Sequence, residues 1–439
     1  MKLQITILLL LLSLTSLNAQ WWSEQTSNVT ATLTSVSAID HQNVWICGYN
    51  GTVLRTTNGG TNWLNVSGGG IPNTVSLINI WGINANTALT AGYQGTTNTW
   101  VWKTTNAGQN WVQVFNQPNG FINAIVMFRT TPANGLMTGD PVGGRWSIWK
   151  TTNTGNTWDS TGYYLSQNGT ETGYNNSLWI ASQEYAGMGY DSSIWFGTNN
   201  YRIYHSSNYG VNWVVQSTQP EQNSYAVAFI WYDGLTGGSN LLRTTNYGTN
   251  WTAVTSSGTG NFGGFVLYFS PVDNPYANYC WYVRNTNSVY RGWNGSNWTV
   301  EYTVTSGTYR HITQARNGTY MWAVRTLGGI SKCSCYPLSI KQISSETPLH
   351  FNLSQNFPNP FNPTTTIQFS IPVKSKIMLR IFDVMGKEIT RLVEGNYNAG
   401  SYEVFWDATA YSSGIYYYSL SASGENDFYI ETKKMALIK

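Results

Sequence analysis

One eight-residue unit recurs between residues 56 and 298 and limits what this chain can fold into more than any other feature. Thr56-Thr57-Asn58-Gly59-Gly60-Thr61-Asn62-Trp63 returns as Thr104 to Trp111, Thr151 to Trp158, Ser206 to Trp213 and Thr244 to Trp251, with a degenerate sixth copy at Gly292 to Trp298. Successive tryptophans are 48, 47, 55, 38 and 47 residues apart. In the first unit, Leu33 to Ile39, Val44 to Gly48, Thr52 to Thr57 and Trp63 to Val66 read as four short strands. Four strands in a period of about 40 to 50 residues mark the blade of a β-propeller. His311 to Ser334 supplies three more strands and lacks the Trp-led fourth, while Trp22-Ser23-Glu24-Gln25 resembles Trp63-Leu64-Asn65-Val66 with no blade before it. The N-terminal strand is therefore expected to complete the last of seven blades, and such closure removes open sheet edges.

The repeated unit reads as a hairpin corner. Asn tolerates left-handed backbone and hydrogen-bonds locally, Gly supplies positive φ without steric cost, and the Thr or Ser two residues earlier offers a hydroxyl across the turn. The Trp brings a large apolar surface and an indole N–H. Asn58, Gly60 and Trp63, with Asn106, Gly108 and Trp111, Asn153, Gly155 and Trp158, Asn208, Gly210 and Trp213, and Asn246, Gly248 and Trp251, are thus assigned structural roles. The residue before each of these five copies is Arg55, Lys103, Lys150, His205 or Arg243.

These residues resemble the Asp-box (BNR-like) of sialidase-type propellers, with Asn where that family usually has Asp. The resemblance covers roughly residues 20 to 335. It implies a propeller whose boxes lie at the periphery, away from the binding face. It does not imply one activity, because sialidases, xyloglucanases, sortilin and the photosystem II assembly-factor family share the pattern, and fold does not determine function.

Composition supports an all-β chain: aromatic residues make up 15% of it and there are 43 glycines. Charged residues are only 10% with a net charge of +3, which gives no electrostatic case for nucleic acid. Residues 1–19 read as a secretory signal peptide, with Lys2, an apolar run at Leu8 to Leu12, and a small residue at Ala19. No later stretch approaches the roughly 18 apolar residues of a membrane span. Cys47, Cys280, Cys333 and Cys335 are compatible with disulfides in an exported chain or with buried thiols, and their spacing does not suit zinc.

Propeller ligands usually meet the loops between second and third strands, on the face opposite the boxes. There the candidate ligand-binding residues are Asp140, Arg145, Trp146, Arg202, Arg284 and Arg325. Asp140 and Arg145, within a Gly-rich loop, either bind a polar ligand or pair across the loop, and the pairing is the simpler reading. A glycosidase needs two carboxylates flanking the scissile bond. The propeller has few acids, and Asp140, Asp191, Asp233, Asp273, Glu171, Glu184 and Glu221 are the inner-loop or turn candidates. The Arg-Ile-Pro sequence typical of sialidases is absent, xyloglucanase-type enzymes use two propellers, and no catalytic residue, cofactor or metal is assigned.

From about Pro337 the repeat stops, and residues 337–348 read as a linker between a propeller at 20–336 and a final domain at 349–439. Alternating strands at Thr366 to Ile371, Lys376 to Phe382, Ser401 to Trp406, Gly414 to Ala422 and Asp427 to Thr432 suggest an immunoglobulin-like sandwich. Asn356 to Thr366, Ile381 to Glu388, Asn398-Ala399-Gly400, Trp406-Asp407, Ser413 to Tyr417 and Lys433-Lys434-Met435 resemble, in order, the type A C-terminal sorting domain of the type IX secretion system. That resemblance implies engagement of the type IX machinery through residues 349–439, removal by a sortase-like peptidase, and release or attachment at the cell surface. The expectation is a secreted or surface propeller that binds a glycan or protein without catalysis; the alternative is a secreted glycoside hydrolase.

Overall fold

The computed structural model describes residues 22–95, 98–180, 192–230, 232–269, 278–293, 295–316, 320–333, 341–344, 346–408, 411–424 and 428–438. The signal-peptide reading and the readings placed on Glu184, Asp191, Asp273, Asn294 and Cys335 lie outside these residues.

Every element among the described residues is a strand. Up to Cys333 they form seven antiparallel sheets, here blades 1 to 7 in chain order. The inner strands are Leu33–Ala38, Ser76–Gly82, Ile122–Met127, Gly173–Ile180, Ala226–Ile230, Phe262–Phe269 and Tyr309–Gln314. Each packs on the next, and the seventh returns to the first, so the sheets make a closed cycle. The packing between them is apolar and largely aromatic: Trp45, Trp146, Trp195, Trp281 and Trp322 are all fully buried. Indoles and β-branched side chains fill a pleated, two-sided interface well.

The ring closes where the ends of the propeller meet. Trp22–Gln25 runs antiparallel to Ile330–Cys333, with Trp22 opposite Cys333 and Gln25 opposite Ile330. Trp22 is buried and stacks on Tyr302 of blade 6 at 6.0 Å. Gln25 then reaches blade 1: its Nε2 donates to the Gly59 carbonyl at 2.9 Å, and its Oε1 accepts the Trp63 indole N–H at 3.1 Å. A single strand thereby satisfies one sheet edge and ties it to the neighbouring blade.

Blade 3 departs from the four-strand expectation. Its sheet holds three strands among the described residues, and beyond Trp158 only the isolated bridges Lys150–Asp159 and Arg145–Ser166 continue the pairing. Asp159 Oδ1 accepts from both the Thr161 amide (3.0 Å) and the Thr161 hydroxyl (2.8 Å). That side-chain turn offers the backbone an alternative to the ladder and ends the strand at its start.

The C-terminal unit is two four-stranded sheets. Lys341–Ser344, Gly400–Asp407, Thr364–Ile371 and Asn352–Leu353 form one; Glu388–Tyr397, Ser375–Phe382, Gly414–Ser423 and Phe428–Leu437 form the other. Alternation is strict: Thr365, Ile367, Phe369 and Ile371 face inward, as do Ile377, Leu379 and Ile381 from the opposing sheet. Three strands were not legible, the two-residue Asn352–Leu353 among them. Lys341–Ser344, inside the segment read as linker, pairs with Gly400–Asp407 as an edge strand. Glu388–Tyr397 is the third. Asn356 is buried and organises the Asn-Phe-Pro-Asn-Pro turn, its Nδ2 donating to Thr365 Oγ1 at 2.9 Å and to the Pro358 carbonyl at 3.0 Å.

Cys47 and Cys280 are buried thiols outside any disulfide, and burial pushes both up to about 12. Cys333 is disulfide-bonded.

Candidate functional site

The boxes repeat one hydrogen-bond pattern. In the first, the Thr56 hydroxyl donates to Asn58 Oδ1 (2.9 Å) and accepts from the Gly60 amide (2.9 Å), while Asn58 Oδ1 also accepts the Asn62 amide (3.0 Å). The same three bonds recur around Asn106, Asn153, Asn208 and Asn246. Both roles of the Asn belong to its amide oxygen, so no negative charge is needed. The left-handed backbone falls on the two residues after the Asn, not on the Asn itself: Ala107, Thr154, Tyr209 and Tyr247 have φ near +60°. The Gly that follows also abuts the preceding blade; a Cβ on Gly60 would lie 2.1 Å from Gln25, and one on Gly108 would lie 2.7 Å from Val66.

Cations before the boxes stitch blades together. Arg55 Nε donates to the Ala85 carbonyl at 2.6 Å, Lys103 to Asn156 Oδ1 at 2.8 Å, and Lys332 of blade 7 to the Gly59 carbonyl at 2.8 Å. His205 instead stacks on Trp195 at 4.3 Å, and burial pushes its pKa down to about 4.

Because the strands alternate in direction, loops between second and third strands lie at the end opposite the boxes, together with the crossings between blades. The predicted arginines sit there but do not converge as a ligand clamp. Arg284 is buried, lies 4.3 Å from the Phe262 ring centroid, and donates to the carbonyls of Gly260, Ser257, Gly258 and Ser239. Arg325 is buried against Glu24, Ser331 and the Ser306 carbonyl. Arg202 pairs with the buried Glu171 at 3.0 Å. Trp146 is core, packed on Phe196 and Tyr204.

Asp140 and Arg145 do not pair across their loop. Asp140 Oδ1 accepts Asn123 Nδ2 and the Gly173 amide, both at 2.8 Å, whereas Arg145 donates to the Tyr163 carbonyl and covers the Tyr164 ring. Each group finds a nearer partner in the crossing to blade 4 than in its own hairpin. Burial raises the Asp140 pKa against the lowering effect of those two donors. The other acids of this face are similarly engaged: Glu171 accepts the Tyr204 hydroxyl at 2.7 Å, and Glu221 accepts Asn240 N and Nδ2 at 2.9 Å each. Asp233 belongs to the box side, paired with Arg243 at 3.2 Å.

Two half-exposed aromatic pairs stand on this face, Tyr93 near the end of a second strand and Phe121, Tyr174 and Tyr225 at the start of inner strands. Tyr93 meets Phe121 at 4.8 Å and Tyr174 meets Tyr225 at 4.1 Å. The Tyr174 hydroxyl donates to Asn223 Oδ1 at 2.7 Å. Burial, then the neighbouring Tyr225, Asp140 and Glu221, hold the Tyr174 pKa well above the usual phenol range. The rim thus carries aromatic faces beside fixed carboxylates and amides.

Below the rim, a knot crosses the channel. Asn176, in a bulge of the blade 4 inner strand with φ of 63°, accepts on Oδ1 from Ser35 Oγ (2.9 Å) and Asn79 Nδ2 (2.8 Å). Its Nδ2 donates to the Thr34 carbonyl at 3.2 Å. A chamber of about 560 Å³ extends from this level toward the box side. Its walls include Val36, Ile80, Ile125, Leu178, Phe229 and Leu267. Edge amides of the inner strands are capped by side chains of the preceding blade: Ile80 N by Ser35 Oγ, Gly82 N by Ser37 Oγ, Ile125 N by Asn79 Oδ1, and Val36 N by His311 Nδ1. This capping satisfies donors that would otherwise face the channel.

Residues 355–435 match the family model of the secretion system C-terminal sorting domain. No curated protein matches the chain in sequence. Among solved structures, YCF48 bound to D1 peptide superposes with a TM-score of 0.53 at 16% identity, covering 71% of this chain and 96% of that one. YCF48 from Cyanidioschyzon merolae gives 0.52 at 15%, covering 71% and 98%. An ancestral GH74 enzyme gives 0.53 at 12%, covering 91% of this chain and 60% of its own length. At these identities the likeness establishes fold alone. No helix among the described residues is long and apolar enough to cross a membrane. The chain is an all-β propeller protein that carries a secretion system C-terminal sorting domain, the signal for type IX export to the cell surface or the medium.

Proposed function

We propose that the propeller is a non-catalytic binding scaffold, displayed at or released from the cell surface, that takes a glycan or protein ligand on the rim opposite the boxes. The observation that carries this reading is the engagement of the described rim acids. Asp140, Glu171 and Glu221 each tie neighbouring segments together through short hydrogen bonds. Glycoside hydrolysis requires one carboxyl group to protonate a leaving oxygen and another to attack or to activate water. Carboxylates committed to backbone amides and buried partners are poorly placed for either task. The half-exposed Tyr174–Tyr225 and Tyr93–Phe121 pairs offer the flat apolar faces on which sugar rings or side chains stack.

The hydrolase reading has one observation in its favour: Asp140 has a raised pKa and lies close enough to Tyr174 to influence it. Perturbed acids cluster at active sites. In the sorting domain, this account has the export machinery read residues 349–439 and a sortase-like peptidase remove them. A glycan array probed with the purified chain, beside Tyr174→Ala and Tyr225→Ala, tests the scaffold. Retained glycans should be lost, by about tenfold in affinity, in either variant; unchanged retention in both would refute the rim as the site.

A further inference from the structure

On the rim itself, we infer that Asp140 anchors a basic side chain. The ligand is a peptide segment that presents a lysine or arginine between the Tyr93–Phe121 and Tyr174–Tyr225 pairs. This rests on the reading of the rim as the binding face and names the chemistry that face takes.

Asp140 joins the two aromatic pairs. Its N–H donates to the Phe121 carbonyl at 2.8 Å, and its Oδ1 accepts the amide of Gly173, which precedes Tyr174. With Asn123 Nδ2 on the same oxygen, the carboxylate is fixed in orientation. Its other oxygen, Oδ2, has no partner among the described residues and is not enclosed by the protein.

The charge is also unmatched. Glu171 has Arg202 at 3.0 Å and Glu24 has Arg325, whereas Asp140 stands in no ion pair among the described residues. Arg145, the arginine of its own hairpin, is turned to the Tyr163 carbonyl and the Tyr164 ring. Two hydrogen bonds favour the Asp140 carboxylate, but burial outweighs them. A half-buried carboxylate without a counter-ion gains from a cation that a partner brings. Its field reaches the neighbouring ring, because Asp140 and Glu221 both act on the Tyr174 hydroxyl.

The rings select the form of that cation. They are tilted, by 47° in Tyr93–Phe121 and 39° in Tyr174–Tyr225, so neither pair makes one plane. A sugar ring stacks best on a flat plate, whereas an alkyl stem with a charged head fits a wedge. Aromatic faces attract ammonium and guanidinium groups that approach within about 6 Å. Lysine and arginine lay their stems on apolar surface while the head reaches a polar partner. A basic side chain of a peptide therefore satisfies the rings and the carboxylate together.

Blocked heptapeptides with Lys, Arg, norleucine or Glu at the centre and Ala, Ser and Gly elsewhere, immobilised and probed with the full chain by surface plasmon resonance, test this. The Lys and Arg peptides should bind at least about tenfold more tightly than the norleucine peptide, and the Glu peptide more weakly still. Asp140→Asn keeps an amide oxygen to accept from Asn123 and Gly173, so its melting curve should match wild type. It should bring the Lys peptide down to the level of norleucine. Tyr174→Ala should weaken the Lys peptide by about two- to fivefold. Equal binding of the Lys and norleucine peptides, Lys binding unchanged in Asp140→Asn, or no retention of any basic peptide would each overturn the inference. The last result together with capture of chitosan oligomers would give the site to an amine-bearing glycan instead. Failure of the rim reading looks different: Tyr174→Ala and Tyr225→Ala would then leave every retained ligand unchanged. Failure of the cation alone would leave retention sensitive to Tyr174→Ala and indifferent to charge.

Discussion

Asn176 of blade 4 accepts a hydrogen bond from Ser35 of blade 1 at 2.9 Å, joining strands on opposite sides of the ring through its centre. The bond exists because the blade 4 inner strand bulges and holds a non-glycine residue in left-handed backbone. Such conformations persist only where the surroundings hold them. The three bonds of this side chain do so. Asn176→Ala should therefore destabilise the propeller by about 2 kcal/mol, combining lost hydrogen bonds with an alanine at positive φ. Asn176→Gly, which relieves the backbone strain, should cost less. Denaturant titrations of the two variants check the order.

His311 links pH to stability. Burial pushes its pKa down to about 4, while in the unfolded chain it titrates near 6.5. Between those values the unfolded state binds more protons than the folded one, so stability rises with pH. Its contribution is intact above about 6.5, and it is lost as pH falls toward 4, by up to roughly 3 kcal/mol. Melting temperatures of wild type and His311→Asn, measured from pH 4 to pH 8, should converge at acid pH and separate at neutral pH.

In the box, the amide oxygen of Asn58 accepts both critical bonds. Asn58→Asp preserves them and should change stability by less than about 0.5 kcal/mol, whereas Asn58→Ala should cost about 1 kcal/mol. Gly60→Ala places a Cβ at φ of 84° against Gln25 and should cost about 1–2 kcal/mol. Thermal melts of the three variants give the ranking.

Ring closure rests on four residues. Deleting Trp22–Gln25 frees the edge of Ile330–Cys333 and leaves Trp63 without its Gln25 partner. A bare edge strand recruits other chains. The deleted form should melt lower and scatter light on heating, while the full chain stays clear.

Much of this was legible because its causes are local. A box needs a hydroxyl, an amide oxygen and a glycine at set spacings, and those residues stand in the sequence five times. Closure was legible from Trp22 to Gln25 because an orphan fourth strand must pair somewhere. The site was not. Tyr174 and Tyr225 are two of 29 tyrosines, and only the crossings between blades bring them together. Asn176 looks like any polar residue near a strand until its bulge turns it inward. For Arg284 and Arg325 the sequence does not show what the structure does: a loop arginine serves backbone carbonyls as readily as a ligand, and these two donate to the Gly260 and Ser306 carbonyls. The Asp159 turn in blade 3 competes with the ladder through a side chain that the repeat pattern does not register.

The most direct test of a binding propeller is product formation. Any glycan retained by the purified chain should be incubated with it at micromolar protein for a day, and new reducing ends counted. The account predicts binding with no reducing ends above the protein-free control, in wild type and in Asp140→Asn alike. Reducing ends that appear with wild type and vanish with Asp140→Asn would contradict it and make the rim an active site.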